Sequence, residues 1–253
     1  MKALTKERID FLEEAYRHFA TKDFIPNDPI SVPHQYSSRF DIEISAFLTA
    51  TIAWGNRTSI IRSARKLLAL MDHAPYDFIL HHSPRDLKRM SGFVHRTFNG
   101  TDLLYFVERL SAYYREENGL EMAFSQGKNT YERLCNFHHS FFNMPHPERS
   151  VKHISNTSKG SAAKRLNMFL RWMVRPPDEG CDFGLWKSMT PAELMVPLDV
   201  HTATIARKLG LLHRKTNDWK AVVELTDTLK SIDSNDPVKF DYALFGLGVN
   251  GRL

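Results

Sequence analysis

Residues 150–175 read SVKHISNTSKGSAAKRLNMFLRWMVR, and this stretch decides how the chain is expected to fold. A short helix ends near Asn156. A turn of small residues follows, Thr157-Ser158-Lys159-Gly160-Ser161-Ala162, and a second helix starts after it. That helix is amphipathic: Ala162, Leu166, Phe169, Leu170 and Met173 recur at helical spacing. The opposite side carries Lys164, Met168, Arg171 and Arg175, with Arg165 beside it. Two helices joined by such a turn suit an anion. Small residues such as Ser158, Gly160 and Ser161 let a phosphate approach backbone N–H groups, and the helix dipole favours it there. Lys159 adds a charge. The plainer alternative is a surface turn followed by a solvated basic face.

Outward from this stretch, apolar spacing is helical almost everywhere. Ile60, Ile61, Ala64, Leu67, Leu68 and Met71 share one helix face. Leu103, Phe106, Val107, Leu110, Tyr113 and Tyr114 share another, and Val222, Leu225, Leu229 and Ile232 follow a cap at Asn217 or Asp218. No segment shows sustained alternation of period two, so a sheet is not expected. Breaks fall at the proline-rich 24–37, at Gly55-Asn56, at Pro145-His146-Pro147 and at Pro176-Pro177-Asp178. The reading is an all-α, two-lobed helical bundle in a single domain spanning 1–253. A central lobe covers about 41–170, and a second combines 1–40 with about 190–253.

Composition narrows the function. The 253 residues hold 34 Lys and Arg against 29 Asp and Glu, a net charge of +5 that leans toward a polyanionic partner. Two cysteines, Cys135 and Cys181, are too few for a four-cysteine zinc or iron–sulfur site, so no iron–sulfur cluster is expected. The charged N-terminal stretch lacks the apolar core of a signal peptide, and no run reaches membrane-spanning length. The expected location is cytoplasmic, with no membrane partner. The pairs His81-His82 and His138-His139 point about 100° apart on a helix and do not chelate one ion, so no metal is expected.

A second informative stretch, VPLDVHTATIARKLGLL, covers 196–212. Asp199 precedes a helix that ends near Gly210, which makes it an N-cap worth about 1 kcal/mol. A carboxylate held by N–H donors also stays ionised and aimed at one spot, so capping and catalysis are compatible.

Together these stretches resemble the helix-hairpin-helix DNA glycosylase superfamily, whose hairpin G-h-G-x-K opens one helix and whose later hydrophobic-D-x-H segment opens another. The matching residues are Gly160-Ser161-Ala162-Ala163-Lys164 and Pro197-Leu198-Asp199-Val200-His201. DPVKFDYALFGLG, from Asp236 to Gly248, and FLTATIAWGN, from Phe47 to Asn56, are similar to further parts of that family. The likeness runs from about residue 41 to the C-terminus. It is closest to an uncharacterised bacterial family, a domain of unknown function, within the superfamily. Two departures stand out: Ala162 replaces the second hairpin glycine, and an insertion containing Phe183 and Trp186 separates the two motifs.

The resemblance implies a DNA glycosylase with lyase activity. It assigns Lys164 as the nucleophile that forms a Schiff base with the sugar, and Asp199 as the carboxylate that stabilises positive charge on it. Neither a metal nor an organic cofactor is needed. His201 is assigned to a phosphate or to orienting Asp199. The damaged base is flipped into a pocket between lobes. Trp54, Asn56 and Arg57 are candidates to fill the gap left in the duplex; Trp186, Tyr242 and Phe245 are candidates to stack on the base, and Asp241 to read its edge. Two alternatives stay open. One is a non-catalytic DNA- or RNA-binding protein on the same fold; the other is an interaction scaffold.

Overall fold

The computed structural model describes residues 4–116, 118–177 and 181–251. Among them stand twelve α-helices: α1 (Lys6–Phe19), α2 (Arg39–Thr51), α3 (Arg57–Ala69), α4 (Pro75–His81), α5 (Pro84–Met90), α6 (Gly100–Glu116), α7 (Leu120–Phe124), α8 (Thr130–Phe141), α9 (Lys164–Val174), α10 (Val200–Lys208), α11 (Trp219–Lys230) and α12 (Phe240–Asn250). The all-α class read from the periodicity is the observed one. The sheet that was not expected exists only as a minimal hairpin. Strands β1 (Val94–His95) and β2 (Phe98–Asn99) run antiparallel, with His95 opposite Phe98. Two residues per strand are too few to show alternation. Arg96 makes the turn at φ 54°, the left-handed conformation that tight hairpins need.

Local chemistry sets the boundaries. The proline-rich connection folds as successive 3-10 turns, Lys22–Asn27, Pro29–Ser31 and Pro33–Gln35. Asn56 caps α3 by accepting from the Ser59 N–H at 3.1 Å, and Asp218 caps α11 by accepting from Ala221 at 3.1 Å. The stripe beginning at Ala162 predicts an earlier start for α9 than is found. Ala163 takes the left-handed conformation, φ 47°, and holds the chain out of the helix until Lys164. α9 ends at Val174, before Pro176-Pro177; Asp178 of the predicted break lies outside the described residues.

The chain forms two compact units, Met1–Phe24 with Asn156–Leu253, and Ile25–Ser155. In the first, α12 packs against α1 and α10. Phe240, Tyr242, Ala243, Leu244 and Leu247 are buried, and so is α9 from Leu166 to Val174. Lys239 bridges Glu13 of α1 at 2.9 Å and Asp233 at 2.8 Å. In the second unit, α2 is buried from Ile42 to Thr51, and Phe47 meets Phe106, Phe137 and Phe141. Buried Glu43 accepts from the Tyr114 hydroxyl at 2.6 Å and the Leu120 N–H at 3.2 Å, which replaces the hydration it gives up. No helix among the described residues is long and apolar enough to cross a membrane.

Candidate functional site

The site is built within the first unit, starting from the turn at 156–163. Asn156 accepts from the Ser158 N–H at 2.9 Å and from the Ser158 hydroxyl at 2.6 Å, which winds Thr157–Lys159 into a 3-10 turn. Gly160 then reverses the chain at φ 84°, where a side chain would be strained although nothing crowds it. The Gly160 carbonyl accepts from the Trp219 N–H at 3.0 Å, so the turn is tied to the start of α11. Several of its N–H groups are spent internally: Gly160 donates to the Thr157 carbonyl, Ser161 to the Asn156 carbonyl and Ala163 to the Ser161 hydroxyl. Those groups are not offered to a phosphate, contrary to the simplest reading of the turn. The first turn of α9 differs, because no side chain caps it. Ser158, Lys159 and Gly160 are exposed, and Ser161 is half-buried.

Lys164 is the first residue of α9 and half-buried. Asp199 is the N-cap of α10, accepting from the Thr202 N–H at 2.8 Å. The two motifs, far apart in the chain, converge on a third residue. The carboxyl of Asp241, on the first turn of α12, feels both the Asp199 charge and the Lys164 charge. Its Oδ1 accepts from the Thr202 hydroxyl at 3.3 Å, and its Oδ2 accepts from the Arg171 guanidinium. Thr202 therefore serves both acids, its backbone holding Asp199 and its hydroxyl holding Asp241.

Asp241 is pushed up to about 6. Burial is the largest cause and the Asp199 charge adds to it; Arg171, Lys164 and the Thr202 hydrogen bond pull the other way. The folded value lies above that of an unfolded aspartate. This group therefore favours folding most fully below the unfolded value near 3.8, and the contribution is lost as pH rises through about 6.

Arg171 and Arg175 do not form the solvent-facing rim that their spacing suggested. Both are buried, each 4% exposed. Arg171 reaches Asp241 and, at 3.3 Å, Asp182. Arg175 reaches Asp182 at 3.0 Å, Asp236 at 2.7 Å and the Tyr16 hydroxyl at 2.7 Å. Arg171 also lies over the Tyr242 ring, 4.1 Å from its centre. A guanidinium deprived of water needs such partners, and these hold Arg171 away from any phosphate. Met168 is buried with them. Arg165 is half-buried; burial pushes its guanidinium down to about 10, so it keeps its charge at neutral pH.

Two stacking candidates are also core residues. Tyr242 is fully buried beneath Arg171. Trp186 is 1% exposed and meets Phe169 edge-on at 5.2 Å. Neither presents a face to a base. Phe245 is half-buried and meets Phe24 and the exposed His201 edge-on, at 6.1 and 6.2 Å. Trp54, Asn56 and Arg57 belong to the second unit. Trp54 is half-buried between His153 and His95, at 5.9 and 5.2 Å; Asn56 is engaged as a cap, and Arg57 begins α3.

Sequence reasoning did not single out Thr202, Asp182, Asp236 or Tyr16. One signal was available. A helix as apolar as α9 with arginines four residues apart demands buried carboxylates to receive them. Among the described residues, no three His, Cys, Asp or Glu side chains converge as a metal site.

Comparison with curated proteins and with solved structures yields no match. The family model described as "Protein of unknown function (DUF2400)" matches residues 28–250, which takes in the Lys164, Asp199 and Asp241 cluster and most of the chain; the chain belongs to that family.

Proposed function

We propose that the chain is a DNA glycosylase with lyase activity, carrying a variant helix-hairpin-helix turn at 156–163. The observation that carries this reading is the convergence of Lys164 and Asp199 on the Asp241 carboxyl. An amine and a carboxylate drawn from distant motifs, each acting on the Asp241 carboxyl from a helix start, are the pair that base excision by an amine requires. As the N-glycosidic bond breaks, the base departs with the bonding electrons and takes up a proton. Lys164 Nζ, having given a proton to solvent, bonds to the sugar C1′. Asp199 offsets the positive charge that develops on the sugar. Ring opening leaves a Schiff base, and elimination of the 3′ phosphate then cleaves the strand. Asp241 and Thr202 act through Asp199, as positioning residues. Lys159 and His201, both exposed, meet the backbone of the substrate.

Borohydride reduction of the full chain with a panel of damaged and abasic duplexes tests this. Trapping of a covalent protein–DNA adduct is expected, and Lys164→Ala abolishes it while the protein stays folded. No adduct across the panel, or an adduct undiminished by Lys164→Ala, contradicts the assignment.

One observation favours a second reading, nucleic-acid binding without excision. Trp186 and Tyr242 are sealed in the core and leave a flipped base fewer aromatic faces than excision of a damaged base ordinarily uses. Binding that survives Lys164→Ala, without trapping in the unaltered chain, is the result it predicts.

A further inference from the structure

Helix α3 carries an outward row of cations, Arg62, Arg65 and Lys66, without acidic partners on the helix itself. Its sequence, RTSIIRSARKLLA, contains four cations and no acid. Ile60, Ala64, Leu67 and Leu68 face the core, which turns Arg62, Arg65 and Lys66 outward, all exposed. Several other arginines of this unit are paired with acids: Arg89 with Asp72 and Asp86, Arg39 with Glu121, Arg149 with Asp102. Among the described residues, the side chains of Arg62, Arg65 and Lys66 have no hydrogen bond or ion pair. Asp28, the carboxylate next in sequence to this surface, is buried and turned to the Ile30 N–H at 3.1 Å.

The same face borders a surface hollow of about 340 Å³, lined by Arg62 and Arg65 with Thr58, Asn27, Ile61 and Pro26. Two guanidiniums, a hydroxyl and an amide supply donors, and no acid enters the lining. At the other end of the helix, the Arg96 guanidinium occupies the space beside Gly55, where a side chain on that residue would stand. From Arg62 to Lys66 the cations extend over roughly 6 Å of helix at 1.5 Å per residue. That is longer than one small anion and comparable with two successive phosphates of a strand.

We infer that the α3 face, centred on Arg62 and Arg65 at this hollow, binds the phosphodiester backbone of a nucleic acid strand. Like charges held close together without counter-charges raise the energy of the isolated protein, and a polyanion that displaces its own counterions relieves this. Guanidiniums suit phosphate oxygens because they offer paired donors in one plane. The partner class is the one proposed above, but the residues belong to the other unit, so the two readings stand or fall separately.

The test measures binding of a fluorescent undamaged duplex to the full chain across a salt series. Arg62→Gln with Arg65→Gln is expected to reduce the slope of log affinity against log salt by about 2, near one unit per lost phosphate contact. The charge-keeping pair Arg62→Lys with Arg65→Lys is expected to retain the slope. A slope unchanged by the glutamine pair, or lost equally with the lysine pair, overturns the inference and leaves trapping by Lys164 untouched. A reduced slope in a chain that never traps upholds the inference while the lyase reading fails. Absence of any salt-dependent binding by the unaltered chain overturns it too.

Discussion

Arg171→Ala is expected to lower the free energy of unfolding by about 3–5 kcal/mol, the cost of leaving a buried charge without its partner. The guanidinium joins Asp241 to Asp182 and lies over the Tyr242 ring. Its loss leaves Asp241 with only the Thr202 hydroxyl and the more distant Lys164 charge to favour ionisation. It also leaves Asp182 with Arg175 alone among its ion-pair partners. Urea unfolding at neutral pH measures the loss. An exposed rim arginine gives a change within about 0.5 kcal/mol, so the experiment separates the buried network from the surface reading of this helix. The pair Arg171→Met with Asp241→Asn should recover part of the loss, because it removes both charges and keeps the volume.

Gly100→Ala is expected to produce the largest effect in the other unit. Gly100 begins α6, and a Cβ there would overlap the Ser91 carbonyl oxygen, standing 2.5 Å from its carbon and 2.7 Å from the Ser91 Cα. These are backbone atoms and no rotamer change relieves them. The cost should reach the top of the range of about 1–3 kcal/mol typical of overpacking, or exceed it. At about 2–4 °C per kcal/mol for a domain of this size, a thermal scan resolves it. An unchanged melting temperature would mean that α6 does not start against Ser91 as described. The sequence gives no hint of this close approach, since Gly100 follows Asn99 as an ordinary turn residue does.

The contrast between these positions shows what was legible beforehand. Helix existence was readable, because the apolar stripe of α3 and that of α11 repeat over several turns. Caps at Asp199 and at Asn217 or Asp218, the latter the observed one, were readable because their chemistry is local. The β-hairpin was not, being shorter than the pattern that reveals strands. The solvent side of α9 is not legible from the sequence: spacing reports which residues share a face and not whether that face, with its arginines at 171 and 175, is exposed. Whether a charged face is exposed depends on carboxylates elsewhere, here at 182, 236 and 241. For the same reason Lys164 and Asp199 could be named from their motifs, whereas Thr202 and Asp241 emerged as the link between them only with the fold.

Lys164, Asp199 and Asp241 share one electrostatic neighbourhood, and the Asp241 carboxyl reports it. Carboxyl NMR titration of this residue should place its midpoint near 6 in the unaltered chain. Asp199→Asn removes a negative charge and should lower the midpoint; Lys164→Ala removes a positive charge and should raise it. A midpoint that ignores both substitutions would show that the amine and the two acids do not meet.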